Sequence, residues 1–167
     1  YEGGVRTPIM FSWPNGGLDP AKRPELVSSI DLFPTVLAAA GARIPNDAPG
    51  LNLLENLQKK RPIKRSGIFG ESLAHDIADI KKPEASLLFR WRIEGKWKLL
   101  LTYDGEVNRY QSTHPRTEKR PQLFDLSKDP HEKTNLAKKH PEVVADLAAK
   151  IAAWWPLKER KVITKYE

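Results

Sequence analysis

The sequence predicts an α/β architecture, locally an α+β fragment. A small antiparallel β-sheet should carry a C-terminal helix on one face and be attached to one strand and one helix of a larger α/β domain. Three observations lead there. Residues 86–101 alternate apolar and polar side chains around Glu94-Gly95, as a β-hairpin requires. From Pro141 to about Trp155, Val143, Val144, Leu147, Ile151, Trp154 and Trp155 recur at helical spacing and form one apolar face. The chain opens on a short apolar run, Ile9 to Trp13, as a core strand would, and so looks cut from something larger.

A length of 167 residues fits one domain, or a domain and a piece of another. Hydrophobic residues make up 40% of the chain, enough for a packed core. Cysteine is absent, which excludes a disulfide framework, a thiolate metal site and a cysteine nucleophile within these residues. No apolar run approaches the ~18 residues of a membrane span, and the first residues do not have the pattern of a signal peptide. The net charge of +7 favours a polyanionic partner such as nucleic acid, anionic lipid or a sulfated or phosphorylated glycan. Its basic groups cluster at Lys59-Lys60-Arg61, Lys64-Arg65, Arg116, Lys119-Arg120 and Lys158 to Lys161, the distribution of solvated loops and helix ends. No zinc-finger, KH or RNP pattern accompanies them, so neither nucleic acid nor a membrane is the expected partner.

In chain order, Gly3 and Gly4 permit a tight turn before the Ile9–Trp13 strand, which Pro14 and Asn15-Gly16-Gly17 close. Ser28 to Gly41 predicts a helix capped by Ser28, Ser29 or Asp31. Pro34 is tolerated in its first turn, Leu32, Phe33, Val36, Leu37 and Ala40 form its packing face, and Gly41 is its stop. Residues 44–50 form a Pro/Asn/Asp loop, and a short helix or turn follows through Leu57. Gly67 to Glu71 is the next strand, then the hairpin, then Pro121 to Leu126 with a turn at Ser127-Lys128-Asp129-Pro130. Pro141 starts the last helix and Pro156 ends it.

Four ordered blocks carry a family resemblance. Tyr1-Glu-Gly-Gly-Val-Arg-Thr-Pro8, with the apolar run ending in Trp13-Pro14, resembles the segment that follows the catalytic lysine of sulfatases, members of the alkaline-phosphatase-like superfamily. Asp31-Leu-Phe-Pro-Thr-Val-Leu-Ala-Ala-Ala-Gly41 is similar to the sulfatase helix D-x-x-P-T-L-L-x-x-A-G. Arg90-Trp-Arg-Ile-Glu-Gly-Lys-Trp-Lys-Leu-Leu100 resembles the hairpin R-x-V-R-T-G-R-Y-K-L-I of sulfatase C-terminal subdomains. Leu123 to Ala137 resembles L-Y-D-L-x-x-D-P-x-E-x-x-N-L nearly position for position, the most specific of the four. Gly50 to Leu54 resembles a family G-x-S-L-x-P-L stretch only loosely, since Asn52 replaces the serine and the proline is missing. The resemblance divides the chain into residues 1–46, the end of the large sulfatase α/β domain, a linker at 47–66, and a C-terminal subdomain at 67–167.

The resemblance implies a parent enzyme that hydrolyses sulfate esters with a formylglycine nucleophile made from the Cys or Ser of C/S-x-P-x-R. It also implies a calcium ion held by Asp, Asp and Asn, with Lys and His assisting, and a periplasmic or secreted setting. The implied partners are the remainder of the catalytic domain and a sulfated small molecule or glycan. None of the catalytic set falls in this chain: the family lysine lies just before Tyr1, and Ser12-Trp13-Pro14-Asn15-Gly16 has glycine where the nucleophile motif needs arginine. What the chain offers is a substrate rim. The polar loop after the Gly67–Glu71 strand carries His75 and Asp76 as candidate contacts to a sulfated sugar or aryl group, and Arg90 and Trp91 add a guanidinium and a ring. His75 and Asp79 could pair as metal ligands only on a helix, and lack a third ligand. Asp125 and Asp129 are expected to cap turns.

Two other readings compete. A free-standing basic module would grip polyanions, and a related phosphodiesterase or phosphonate hydrolase would keep the superfamily but change the leaving group. The strand-first start speaks against the module; the residues from Tyr1 onward do not discriminate against the second.

Overall fold

The computed structural model describes residues 1–75, 78–103 and 119–158. The chain forms two compact units, Gly4–Ile68 and a second made of Tyr1–Gly3 with Phe69–Glu167.

The second unit is built on a four-stranded sheet in the order β1 (Ile68–Leu73), β2 (Leu87–Glu94), β3 (Trp97–Thr102), β4 (Gln122–Asp125). Strands β2 and β3 are antiparallel in the register Arg90↔Leu101 to Glu94↔Trp97, and β3 and β4 in the register Trp97↔Asp125 to Leu100↔Gln122. The hairpin turn falls at Gly95-Lys96, one residue later than the sequence predicted. Gly95 takes φ 56°, the left-handed conformation that a two-residue loop requires, and glycine adopts it without strain.

Cross-strand pairs share a face, so Arg90, Arg92, Leu99, Leu101 and Leu123 point one way, while Trp91, Ile93, Lys98, Leu100, Gln122 and Phe124 point the other. Helix α4 (Pro141–Trp154) covers the first face. Its Leu147 and Ile151 are buried among Leu99, Leu101, Tyr103, Leu123 and Ala137, with Val143, Val144 and Trp155 packed alongside. Fully burying side chains of this size contributes ~1.5–3 kcal/mol each. This is the sheet-and-helix layer the 141–155 periodicity predicted. Trp154 alone of that stripe stays 40% exposed, its ring stacked on Phe69 at 4.8 Å. The Leu123–Ala137 block is a bracket: Asn135 Oδ1 accepts from the Leu123 and Ala137 amides at 3.1 and 2.9 Å, and its amide donates to the Pro121 carbonyl at 3.1 Å.

The first unit is held by polar anchors more than by apolar burial. It contains α1 in part (Glu2–Val5), a 3-10 turn at Ser29–Asp31, α2 (Leu32–Ala39) and α3 (Leu54–Gln58). Asp31, fully buried, accepts from the Ser28 amide at 2.8 Å, the Leu51 amide at 2.7 Å and Arg65 at 2.5 Å. Thr35 Oγ1 accepts from the Leu53 amide at 2.9 Å. Arg23 reaches the Asn56 and Arg61 carbonyls at 3.1 and 2.7 Å and pairs with Glu25, whose carboxyl it holds down at about 2. Gly50 lies so close to the turn that a Cβ there would sit 2.4 Å from the Ile30 carbonyl oxygen.

One expectation changes here. Residues 9–13 are not a strand: a strand needs a ladder partner, and none pairs with it among the described residues. Within this chain the predicted packing face of α2 is uncovered, with Leu32, Phe33 and Val36 37%, 50% and 58% exposed, while Pro34 and Thr35 are buried on its other side. Within residues 47–66, Leu51, Leu53, Asn56, Arg61 and Arg65 are all hydrogen-bonded within this unit.

Candidate substrate-rim site

The loop between β1 and β2 is ordered at its base. The Ala74 amide donates to the Ser86 carbonyl at 2.6 Å, and the Ala78 amide donates to Ser86 Oγ at 2.9 Å, so Ser86 pinches the loop closed. Asp79 makes a local turn, accepting from the Lys81 amide at 2.8 Å, and Pro83–Ser86 forms a 3-10 turn leading into β2. His75 is exposed on this loop and Ala74 beneath it is buried. Ile80 and the two lysines that follow it are also exposed. Asp76 lies outside the described residues. Of the stretch that would have to be helical for His75 and Asp79 to share a metal, the described residues His75, Ala78 and Asp79 are not in a helix.

Arg90 occupies a different environment. It is 3% exposed on the α4 side of the sheet; Nε donates to Tyr103 Oη at 2.6 Å, and Nη1 donates to the Ile151 carbonyl at 3.1 Å and to that of Trp155. Its guanidinium lies 5.0 Å from the Tyr103 ring centroid. At the C-terminal end of α4 this cation meets the Ile151 carbonyl, which also accepts from the Trp155 amide at 3.3 Å, and the negative end of the helix dipole. Arg90 is therefore a clamp between sheet and helix, turned away from solvent. Trp91 is half-buried on the opposite face, packed over Gly70, where a Cβ would come within 2.1 Å of the indole.

A shallow cleft of about 470 Å³ is lined by Lys96, Trp97, Asp125, Lys128, Asp129, Thr134, Leu136 and His140. Its carboxylates serve the turns, as expected. Asp125 accepts from the Ser127 hydroxyl at 2.5 Å and amide at 3.1 Å and pairs with Lys96 at 3.0 Å, which together lower its pKa to about 2. Asp129 accepts from the Thr134 amide at 2.8 Å, and such backbone donors keep its pKa below the usual value.

Sequence reasoning missed one buried cluster. Lys98 Nζ, 1% exposed, lies 2.7 Å from Glu2 Oε1 and 3.0 Å from Glu132 Oε1, the latter an ion-pair distance without a well-directed hydrogen bond. The available signal was a lysine inside Trp97-Lys-Leu-Leu-Leu101, a run with no room for a solvated charge. Among the described residues no group of three or more His, Asp or Glu is placed to hold a metal ion.

This fold and these motif residues agree with comparison to known proteins. The family described as N-sulphoglucosamine sulphohydrolase, C-terminal, matches residues 1–155. The chain belongs to that sulfatase family and corresponds to its C-terminal region. An N-acetylgalactosamine-6-O-sulfatase of Bacteroides thetaiotaomicron is 33% identical over 151 residues, covering 89% of this chain and 27% of the relative. Arylsulfatase A of Bos taurus is 34% identical over 155 residues, covering 87% of this chain and 29% of the relative. A solved structure from work on glycosaminoglycan metabolism by Bacteroides thetaiotaomicron superposes with a TM-score of 0.60 at 29% identity, over 83% of this chain and 27% of that one. The chain thus spans little more than a quarter of the length of the relatives it matches.

Proposed function

We propose that this chain is the C-terminal part of a sulfatase that hydrolyses sulfate esters of a carbohydrate or an aryl group, and that it supplies scaffold and substrate rim. The observation that carries this is the family match over residues 1–155, on a chain whose sheet, helix and Asn135 bracket are built from the motif residues themselves. The names of the relatives, an amino-sugar sulfatase and an arylsulfatase, favour sulfate over the phosphodiester or phosphonate alternative. By the family resemblance, a calcium ion and a formylglycine would be supplied by residues outside this chain, which contains no C/S-x-P-x-R motif. A periplasmic or secreted setting goes with the family; no helix of the described residues is long and apolar enough to cross a membrane.

Within this reading, His75 is the rim contact, exposed on a loop whose base is fixed by Ser86, and Asp76, next in sequence and outside the described residues, is the second candidate. An imidazole there can donate to a distal group of the substrate without joining the chemical step. Arg90 enters as a scaffold residue because its donors are directed to Tyr103 and α4. In the whole enzyme, His75→Ala is expected to lower kcat/KM on a sulfated saccharide by roughly ten- to a hundredfold, the loss of one charge-assisted hydrogen bond. Turnover of a minimal aryl sulfate should change far less. Equal loss on both substrates, with an unchanged thermal melt, would make His75 a catalytic group instead; no loss on either would remove it from the rim.

A further inference from the structure

The face of the sheet opposite α4 carries the residues that hold the start of the chain. Tyr1 lies edge-on to Phe124 with ring centroids 6.1 Å apart, and its hydroxyl donates to Gln122 Oε1 at 2.7 Å. Next to it, Glu2 is 7% exposed, its carboxylate on Lys98 and its amide donating to the Glu132 carboxylate. These contacts place Tyr1–Gly3 in the same compact unit as residues from Phe69 onward. The three charges come from three of the motif blocks quoted above: Glu2 from Y-E-G-G, Lys98 from the hairpin, Glu132 from D-P-x-E.

Two features mark the cluster as a built device. A lysine is almost never this buried unless paired, and here it sits between two carboxylates whose positions in the chain are 130 residues apart. Glu132 also adopts φ 53°, a left-handed conformation that a residue with a Cβ holds only when its surroundings fix it. The turn at Asp129–Glu132 thus accepts an unfavourable backbone in order to aim this side chain.

We infer that Lys98, backed by Glu132, is the fastener that fixes Tyr1–Gly3 to the C-terminal sheet, and that it is a positioning residue for whatever group is joined to Tyr1 on its amino side. The second half rests on the proposed function, in which the rest of the enzyme precedes this region and its catalytic lysine adjoins Tyr1. Lys98 itself touches no reacting atom. It acts through Glu2, by removing the freedom of the segment that leads to the active centre.

Two measurements test this. In the 167-residue chain, amide hydrogen exchange of Glu2 and Gly3 is compared between the wild type and Lys98→Met, with Leu99, Leu101 and Leu123 as internal references. The expected result is at least about a tenfold loss of protection at Glu2 and Gly3 with the references within about twofold. Unchanged protection at Glu2 overturns the inference. If Lys98→Met loses protection everywhere, Glu132→Gln, which keeps volume and an acceptor, is read the same way; uniform loss in both variants makes the cluster ordinary sheet core and also overturns it. In the full-length enzyme, Lys98→Met should lower kcat on a minimal aryl sulfate about ten- to a hundredfold with KM within about twofold, the signature of a displaced catalytic group. Lys98→Arg should recover part of the loss. A released Glu2 with unchanged kcat refutes the positioning role alone. A wild-type enzyme that turns over no sulfate ester refutes the proposed function, while the exchange result still decides the fastening.

Discussion

At the scale of single residues, Arg90 shows how far a motif arginine can sit from the role its charge invites. A strand arginine in a basic protein is easily read as a ligand for an anion, yet this one is directed to a tyrosine hydroxyl, to the Ile151 carbonyl in the last turn of α4 and to the Trp155 carbonyl just past it. Replacing it with Met keeps most of the packing volume and removes the donors. The expected loss is about 2 kcal/mol from hydrogen bonds to a charged group and the helix dipole together, measured by urea unfolding at constant m-value. Arg90→Lys should recover less than half, because one ammonium cannot reach Tyr103 and the helix end with the geometry of a planar fork. Wild-type stability in Arg90→Met would mean that the clamp contributes nothing. The sequence could not distinguish these roles: alternation assigns Arg90 to a face, but only the arrival of α4, some 60 positions later, makes that face an interior.

At the scale of elements, the regular pieces were legible and the irregular ones were not. The hairpin, β4, the Asp125–Asp129 turn and α4 all follow from local pattern, since each combines a clear period with suitable turn or cap residues. The Ile9–Trp13 run misled because a strand is a relation between two segments, and one segment's composition cannot supply the other. Helix α2 was found, and its apolar side is uncovered within this chain; what periodicity could not show is that two polar groups, Asp31 and Thr35, would anchor its other side. The sheet also has a local weak point that its sequence hides. Gly70 in β1 passes under the Trp91 indole with no space for a methyl group. Gly70→Ala should therefore destabilise the second unit by about 1–3 kcal/mol through overpacking, in spite of alanine's smaller unfolded-state entropy. Pairing it with Trp91→Leu should return a large part of that loss. An additive double variant in thermal melts would point to a backbone cause instead of the steric one.

At the scale of the whole molecule, apolar burial is distributed unevenly. The core cluster lies entirely within residues 87–151, whereas the Gly4–Ile68 unit buries Leu53 and relies on Asp31, Thr35 and Arg23. It also leaves Met10, Ile30, Phe33 and Val36 at 87%, 49%, 50% and 58% exposure. Hydrogen exchange in the isolated chain should accordingly show residues 4–68 opening well before the sheet and α4, by an amount of at least about 2 kcal/mol in opening free energy. Equal protection in the two units would mean that the outward apolar face has found a cover in solution. The candidate site follows the same division. Its loop was legible in the sequence because it is polar and lies between two clear strands, but its closure by Ser86 was not, since a hydroxyl eight residues from the amide it bonds gives no local sign of that partner. The buried Lys98 cluster escaped for a related reason: the apolar run around Lys98 hints at burial, but its partners Glu2 and Glu132 lie far away in the chain and each alone looks like an ordinary surface charge.

The ring pair at the end of α4 has an optical consequence. Trp154 and Trp155 lie 6.4 Å apart at 78°, close enough for their indole transitions to couple and inclined enough for that coupling to be chiral, while Trp154 also stacks on Phe69. Such a pair produces a signed couplet in circular dichroism that depends on both rings being held. It vanishes when the helix end is released, even if the helix itself survives. The protein therefore carries a built-in chromophoric reporter of the seam between α4 and the sheet, readable without any label.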